Sequence, residues 1–239
     1  MIKLICVGKV KDKPTSWTLS HLIGPRLNAG GRIGSSNLGF QLLCSENMSD
    51  ANGIVLKLED LNTQRRDMCS EVLRQAIIQV EQEPEDCPVV FAYGKDWHHG
   101  VIGIIAGKLK DRYKKPALVM CGEAEDVHGS GRSVPDFDLG AAIFKAKEVG
   151  ILTAGGGHTL AAGFSLTTEK IEEFKSFIVE QRLSKDVVKY ADLNIDAALS
   201  MSAANSDLLK RIEMLEPYGE ANPEPMLALA DVTIISPRI

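Results

Sequence analysis

The feature that most constrains the fold is an alternation of strand-like and helix-like segments that starts at Pro88. The apolar runs PVVFAY and PALVMC have the length of buried strands, and GVIGIIAGKLKDRY between them has apolar residues at helical spacing. DLGAAIFKAKEV and TTEKIEEFKSFIVEQRL repeat the helical pattern, while HGSGRSV and TLAAGFSL are further candidate strands. Strands that alternate with helices of this length form layered α/β structures. We therefore expect an α/β domain over this part of the chain.

A long helical pattern precedes the α/β region. Its apolar positions recur at three- and four-residue steps and are Ile54, Leu58, Leu61, Met68, Val72, Ala76 and Val80. Ser49 or Asp50 is a suitable N-cap, and Pro84 is a stop signal. The pattern predicts one helix of roughly thirty residues, which is longer than the globular average. A helix of this length usually connects parts of a protein.

The charge is distributed unevenly along the chain. The net charge of −5 argues weakly against a general nucleic-acid binder. Residues 1–45, however, contain six basic residues and only one acidic residue, and a second basic cluster, KLKDRYKK, occupies residues 108–115. A local anionic partner is therefore compatible with the sequence.

The cysteines and the apolar runs bear on location. None of the apolar runs reaches the roughly 18 residues that a membrane span needs, so we expect no membrane partner. The five cysteines form no CxxC pair, which favours reduced thiols over a disulfide framework and offers no zinc-finger spacing. We expect a cytoplasmic protein.

Two glycine clusters are candidate anion sites. In AGGGH, residues 154–158, Gly155, Gly156 and Gly157 permit close backbone approach, and His158 can donate a hydrogen bond to a phosphate oxygen. The alternative is a mobile loop with an unrelated histidine. In HGSGRS, residues 128–133, Arg132 can bind a phosphate bidentately and Ser130 adds a hydroxyl donor beside Gly131. The alternative is a polar turn between two elements.

Two further segments suit an anion. DWHHG, residues 96–100, joins a predicted strand to a predicted helix, which is where α/β folds bind anions. Its adjacent histidines point in different directions on most backbones, so a metal site is disfavoured. GPRLNAGGR, residues 24–32, places Arg26, Asn28 and Arg32 in what reads as a tight, glycine-rich bend. A helix-end turn with solvated arginines is the alternative. The sequence has no nucleophile elbow, Walker loop or HExxH motif.

Taken in order, these segments closely resemble the RecJ family of single-strand-specific DNA exonucleases. The resemblance rests on GPRLNAGGRIGSSNLGFQLL, WHHGVIGIIAGKLKDRYKKPALVM, GSGRSVPDFDLGAAI and AGGGHTLAAGFSL. LEPYGEANPEPMLAL is also similar to the RecJ segment that enters the oligonucleotide-binding β-barrel. The AGGGH motif alone would fit other phosphodiesterases with a DHH-associated domain and the related domain of alanyl-tRNA synthetases.

The resemblance implies a domain order. Residues 1–48 would form the exit of the metal-binding DHH lobe and a linker, and residues 49–84 would form the connector helix. Residues 85–186 would form a DHH-associated domain, in which a mixed β-sheet is flanked by helices and binds the substrate. Residues 187–239 would begin an OB-type β-barrel.

The resemblance also implies a function, namely the substrate-binding, C-terminal part of a 5′-to-3′ exonuclease of single-stranded DNA in recombination and repair. The family uses Mn²⁺ or Mg²⁺. By family analogy, Ser130, Gly131 and Arg132 would bind a substrate phosphate near the 5′ end. Arg26, Asn28 and Arg32 would contact the DNA strand from the linker side, and His98 would lie near them. The groove beside the metals would be lined by Gly155, Gly156, Gly157 and His158.

The sequence departs from the family pattern in one large respect. It contains no DHH triplet, and the opening IKLICVGKVKDKPTSWTLSHLIGP resembles only the exit from the DHH lobe. We therefore expect the chain to bind no metal and to hold no catalytic residue, with His158 at most assisting. It should be inactive without a separate DHH lobe or chain, because two-metal hydrolysis needs the paired ions. The alternatives are a non-catalytic single-strand-binding or partner module, and a fragment of an oligonucleotide phosphodiesterase.

Overall fold

A computed structural model of the chain describes residues 14–84, 86–184, 193–230 and 232–233. A π-helical segment, Thr18–Ile23, comes first. The helices are α1 (Gly24–Ile33), α2 (Asn37–Leu43), α3 (Met48–Val80), α4 (His99–Tyr113), α5 (Leu139–Glu148), α6 (Ile171–Leu183, after a 3₁₀ turn at Thr168–Lys170) and α7 (Ser206–Glu213). The strands are β1 (Val90–Gly94), β2 (Ala117–Cys121), β3 (Val127–Arg132), β4 (Ala154–His158), β5 (Ala161–Leu166), β6 (Ala197–Leu199) and β7 (Leu227–Leu229).

The central sheet has five strands in the order β1-β2-β3-β5-β4. β1 and β2 are parallel and are joined through α4, whereas the pairs β2–β3, β3–β5 and β4–β5 are antiparallel. The predicted α/β architecture with a mixed sheet flanked by helices is therefore confirmed.

The sheet buries both of its faces against helices where β2 lies. Leu118 and Met120 pack on one face with α5 and α6, in a core that includes Phe164 and Phe174. Val119 packs on the opposite face with α4 and the second half of α3. Successive strand residues point to opposite faces, so a strand buried on both sides must be apolar throughout, as ALVMC is.

The predicted long helix is present as α3. Its N-cap is Asn47, whose side-chain oxygen accepts from the Asp50 amide at 2.8 Å, in place of the predicted Ser49 or Asp50. The helix ends at Val80, ahead of Pro84. Its buried positions include the predicted Leu58, Val72 and Ala76. The remaining buried positions are Val55, Asn62 and Cys69, each one residue after a predicted position, and one of them is polar.

Side-chain amides of α3 attach the helix to the α/β domain. Gln79 donates from Nε2 to the Tyr93 carbonyl at 2.8 Å and accepts from the Tyr93 amide at 2.9 Å. Gln75 accepts from the Trp97 indole at 2.7 Å. Because β1 lies at an edge of the sheet, Gln79 satisfies backbone groups that would otherwise lack a strand partner. The connector therefore has a fixed position against this edge.

The segment GPRLNAGGR is helical, so its interpretation as a tight bend is wrong. Pro25 lies in the first turn of α1, directly after the π-helical segment, so the proline is accommodated within helical backbone. A Cβ on the buried Gly30 would lie 2.6 Å from the Ser35 carbonyl oxygen. The glycine here permits close packing, which outweighs its low helix propensity.

The segment AGGGH forms strand β4 at the other edge of the sheet, so the alternative of a mobile loop does not apply. Its five residues, Ala154–His158, pair with β5. A Cβ on Gly157 would lie 2.4 Å from the Ala161 carbonyl oxygen, which explains why a side chain is excluded there.

The C-terminal described residues contain a small parallel pair, β6 with β7. The final apolar segment thus pairs outside the central sheet. Lys3, Lys9, Lys11 and Lys13, which contribute to the predicted basic N-terminal region, lie outside the described residues, as do residues 234–239 of the predicted barrel. Cys44, Cys69, Cys87 and Cys121 are free thiols. Within the described ranges, no helix combines the length and apolarity needed to cross a bilayer.

Candidate nucleic-acid interface

A cavity of about 600 Å³ opens where the C-terminal end of α1, the first turn of α4 and strand β3 meet. We call it the phosphate cavity. It is lined by Gly31, Arg32, His99, Gly100, Ile102, Gly103, His128, Gly129, Ser130 and Arg132. The structure thus brings together three predicted site residues from two separate segments, namely Arg32 from GPRLNAGGR with Ser130 and Arg132 from HGSGRS.

Strand β3 positions Ser130 and Arg132 on the same face because strand side chains alternate. Arg132 donates from Nη1 to the Ser130 hydroxyl at 3.2 Å and to the Gly131 carbonyl at 2.8 Å. Burial lowers the pKa of Arg132, and the positive charge of Arg32 lowers it further. Arginine remains charged despite such a shift, so the cavity contains two cations that repel each other.

Arg32 enters the cavity from the end of α1. Its Nη1 donates to the Gly100 carbonyl at 3.3 Å. Among the residues that the structure describes, no carboxylate lies within 4.0 Å of the guanidinium of Arg32 or of Arg132. Two converging guanidiniums without a carboxylate partner form a site suited to a phosphate, which Arg binds with paired hydrogen bonds.

Two glycines of α4 permit the close packing around the cavity. A Cβ on Gly100 would lie 2.0 Å from the Arg32 carbonyl oxygen, so only glycine lets α1 and α4 approach this closely. A Cβ on Gly103 would lie 3.0 Å from the Ser130 hydroxyl and 3.3 Å from Nη2 of Arg132. The small residue at 103 therefore leaves room for the arginine.

The adjacent histidines lie in different surroundings. His98 is the N-cap of α4, where its Nδ1 accepts from the Gly100 amide at 3.0 Å, and its ring stacks on His99 at 4.7 Å. Burial lowers the pKa of His98, and His99 lowers it further. His98 lines a separate cavity beside Trp97, whereas His99 lines the phosphate cavity. Contact between His98 and a DNA strand stays a prediction.

Arg26 and Asn28 do not line the phosphate cavity. The half-buried Arg26 donates from Nε to Glu59 at 2.6 Å and from Nη1 to the Leu22 carbonyl at 2.8 Å, so its charge is already paired. Asn28 lines a smaller adjoining cavity of about 200 Å³ together with Arg32 and Arg65. The sequence predicted that Arg26, Asn28 and Arg32 all contact the DNA strand. In the structure, Arg26 is paired with Glu59 and lies apart from the cavities that the other two residues line.

The predicted residues of β4 lie two strands away from Ser130, outside the lining of the phosphate cavity. Gly156 pairs with Gly163, and Gly163 pairs with Ser130, so the three occupy one row and share one face of the sheet. His158 shares the row of Arg132 in the same way. Gly156, Gly163 and His158 are exposed, which leaves an uncovered, small-residue face beside the cavity.

Sequence analysis missed His99, Gly103 and Arg65. His99 and Gly103 follow His98 in a segment that the sequence analysis had singled out. The segment was therefore identified correctly, but not which of its residues line the cavity. Arg65 had a detectable signal, because Asn62 and Arg65 fall at helical spacing within the stripe of α3 that buries Leu58 and Cys69. A charged residue inside an otherwise buried stripe indicates a specific partner or a ligand.

The described residues do not supply a metal centre. Within the described ranges, no group of three or more His, Cys, Asp or Glu side chains is arranged to hold a metal ion. The donor set of the phosphate cavity, mainly arginine, serine and backbone groups, suits an anion. No reaction step through a metal is therefore assigned to these residues.

Comparison with protein families defines the class of the α/β domain. The DHHA1 domain model matches residues 86–184, and the RecJ OB domain model matches residues 195–239. The chain thus combines a DHHA1 domain, which contains β3 and the first turn of α4, with at least part of an OB domain.

Relatives that match most of the chain give the family. The chain is 30% identical over 223 residues to the single-stranded-DNA-specific exonuclease RecJ of Bacillus subtilis and 29% identical over 222 residues to that of Escherichia coli. These matches cover 91% and 87% of this chain, respectively. The chain belongs to the RecJ family. It spans 28% and 38% of the lengths of these two curated relatives.

Solved structures agree with this assignment at the level of the fold. RecJ from Thermus thermophilus in complex with Mg²⁺ superposes with a TM-score of 0.83 at 24% identity, covering 94% of this chain and 34% of that one. An exonuclease RecJ bound to manganese matches with a TM-score of 0.65 at 23% identity, covering 80% of this chain and 45% of that one. Divalent metals are therefore found in this family.

Proposed function

We propose that this chain is the substrate-binding part of a RecJ-like exonuclease that degrades single-stranded DNA from the 5′ end in recombination and repair. The observation that supports the proposal is the convergence of Arg32 and Arg132 on one cavity without a carboxylate partner among the described residues. A phosphate would relieve their mutual repulsion and use the donors that they leave free.

The phosphate cavity would bind the 5′-terminal phosphate. Arg132 and Arg32 would each donate to phosphate oxygens, and the Ser130 hydroxyl would add a donor. The role of these residues is to bind and orient the strand, which lowers the entropic cost of reaching the reactive geometry. The uncovered face beside Gly156 and His158 would accommodate the sugar and base of the first nucleotide.

Hydrolysis itself would need the metal ions of a DHH lobe, which lower the pKa of a bound water and neutralise the leaving oxygen. The described residues of this chain would bind the substrate against such a lobe, on the same chain or on a separate one. The cysteine composition and the DNA substrate are consistent with a cytoplasmic location.

The experiment is a binding titration of the 239-residue chain with a 5′-phosphorylated and a 5′-hydroxyl oligonucleotide of twelve thymidines. Arg132→Ala should weaken binding of the phosphorylated strand by about 1–3 kcal/mol, the scale of a hydrogen bond to a charged group. It should also reduce the salt dependence of binding by about one counterion, since one phosphate contact is lost.

Arg74→Ala is the matched control, because Arg74 is exposed and paired with Glu71 on α3. It should change neither affinity nor salt dependence. Equal affinities of the wild-type chain and a folded Arg132→Ala variant would refute the proposed site. Manganese-dependent degradation by the pure chain would refute the division of roles between this chain and a DHH lobe.

A further inference from the structure

Three cavities of the described structure adjoin one another through shared residues. Arg32 lines both the phosphate cavity and the cavity of about 200 Å³ that also contains Arg65. Ser20 lines that smaller cavity and a third one of about 750 Å³, which lies between residues 14–21 and residues 216–224. The three cavities therefore lie in a row from β3 towards the region matched by the OB domain model.

The middle cavity contains an incompletely satisfied cation. Arg65 of α3 donates from Nη2 to Asn62 at 2.9 Å, and Asn62 is only 2% exposed. Nε of Arg65 is buried and has no hydrogen-bond partner among the described groups. Because Arg65 also lines the cavity, its incompletely paired positive charge favours an anion there. Asn62 holds the guanidinium in place on the helix.

The third cavity is aromatic. Trp17 is 58% exposed, although Trp is among the residues that proteins usually cover, and its ring is stacked on His21 at 5.1 Å with an interplanar angle of 13°. Tyr218 lines the same cavity, and its hydroxyl donates to the Ile212 carbonyl. Fixed aromatic rings with an open face are the platforms on which bases of single strands stack.

The charges of the two outer cavities differ. Arginines dominate the phosphate cavity, whereas Glu216 and Glu224 line the aromatic cavity. Carboxylates repel phosphates but tolerate the uncharged face of a base. The aromatic cavity therefore suits a base, whereas the middle cavity, which is lined by Arg32 and Arg65, suits a backbone phosphate.

We infer that the chain binds single-stranded DNA along these three cavities, with an internal phosphate on Arg65 and a base stacked on Trp17. This inference rests on the proposed function and extends it beyond the terminal phosphate. It predicts that affinity depends on the length of the oligonucleotide, because only a strand long enough to pass Arg65 reaches Trp17. It also adds two binding residues, one on the connector helix and one ahead of α1.

Intrinsic fluorescence makes the test direct, because the chain contains two tryptophans and Trp97 is 9% exposed. A 5′-phosphorylated twelve-nucleotide thymidine strand should quench the emission of the wild-type chain, and Trp17→Phe should abolish the quenching while keeping most of the affinity. Trp17→Ala should weaken binding of this strand roughly five- to hundredfold, the effect of losing one base–aromatic stack. A 5′-phosphorylated dinucleotide should bind the wild-type chain and Trp17→Ala equally. A strand that is abasic except at its first two nucleotides should also bind these two proteins equally.

Arg65→Met should weaken binding of the long strand and lower its salt slope by about one. Arg66→Met is the matched control, since Arg66 is the exposed neighbour on α3, and Phe40→Ala controls for loss of an exposed ring. Quenching that persists in Trp17→Phe, or wild-type affinity in both Trp17→Ala and Arg65→Met, would overturn the path while leaving the phosphate cavity intact. Absence of any oligonucleotide binding by the wild-type chain would instead overturn the proposed function.

Discussion

The carbonyl oxygen of Arg32 lies 2.0 Å from the point that a Cβ atom on Gly100 would occupy. This contact joins the end of α1 to the first turn of α4 and so fixes where Arg32 enters the phosphate cavity. The Arg32 guanidinium donates back to the Gly100 carbonyl at 3.3 Å, which makes the joint reciprocal. The position of Arg32 in the cavity thus depends on a glycine that is far away in sequence.

Gly100→Ala should separate the two helices, because the oxygen that it meets belongs to the backbone and cannot rotate away. We expect a loss of roughly 1–3 kcal/mol in the free energy of unfolding, the cost of overpacking, together with weaker binding of a 5′-phosphorylated strand. Urea denaturation and the oligonucleotide titration measure the two effects. Gly107→Ala on the same helix meets nothing within 4 Å and should raise stability by about 0.5–1 kcal/mol. Equal stability of the two variants would contradict this account.

A buried ion pair attaches the end of α6 to the loop before α5. Arg182 is 5% exposed, donates to Asp136 Oδ2 at 2.8 Å and to the Asp136 carbonyl at 3.2 Å, and lies over the Phe137 ring. Arg182→Met would leave a largely buried carboxylate without this partner, so we expect a loss of about 3 kcal/mol in the free energy of unfolding. Chemical denaturation measures it.

The comparison for this pair is Arg112 with Glu81, which are 3.4 Å apart and both more than half exposed. Arg112→Met should cost less than about 1 kcal/mol, because solvent screens the pair. A cost for Arg182→Met as small as that for Arg112→Met would show that the buried pair contributes no more than a surface one.

The sequence predicted the fold in those segments whose apolar residues follow a clear helical or strand pattern. Alternation predicted the layers of the α/β domain, and the predicted helix DLGAAIFKAKEV is present as α5, with Asp138 as its N-cap accepting from the Ala141 amide at 3.0 Å. Tertiary packing decided the exceptions. The glycines of α1 and β4 permit close approach to neighbouring backbone, which resembles turn composition when only the sequence is read.

The site was predictable by residue type and less so by position. Arg32, Ser130 and Arg132 come together because α1, α4 and β3 converge, and no spacing rule relates residues so far apart in the chain. Arg26 was separated from them by Glu59, a partner on α3 that its own segment could not reveal. Arg65 was missed because a polar residue on a long helix is usually solvated.

The N-cap histidine predicts a pH effect on stability. Burial and the neighbouring His99 lower the pKa of His98 in the folded chain, so the unfolded chain binds the proton more tightly. Protonation therefore favours unfolding, and the penalty, absent well above the ordinary value of 6.5, grows as the pH falls below it. His98→Asn keeps an N-cap acceptor for the Gly100 amide but removes the titrating group.

We expect wild type to lose more stability than His98→Asn when urea unfolding is compared at about pH 7.5 and about pH 5, on either side of the ordinary histidine pKa. His21→Asn, which removes a histidine from the π-helical segment, controls for the general loss of an imidazole. Parallel losses in wild type and His98→Asn would show that His98 does not cause the acid sensitivity.

The uncovered face beside the phosphate cavity can be tested at Gly156. A Cβ there meets nothing within 4 Å, so Gly156→Val fits the fold, and a β-branched residue suits a strand. We therefore expect an unchanged or higher urea midpoint. The side chain would project on the same face as Ser130 and Arg132, where the first nucleotide would lie, and should weaken binding of a twelve-nucleotide single strand about tenfold, or about 1.4 kcal/mol. Gly53→Ala, which fills an equally open position on α3, should leave binding unchanged. A stable Gly156→Val variant with wild-type affinity would exclude β4 from the interface and confine DNA binding to the cavities.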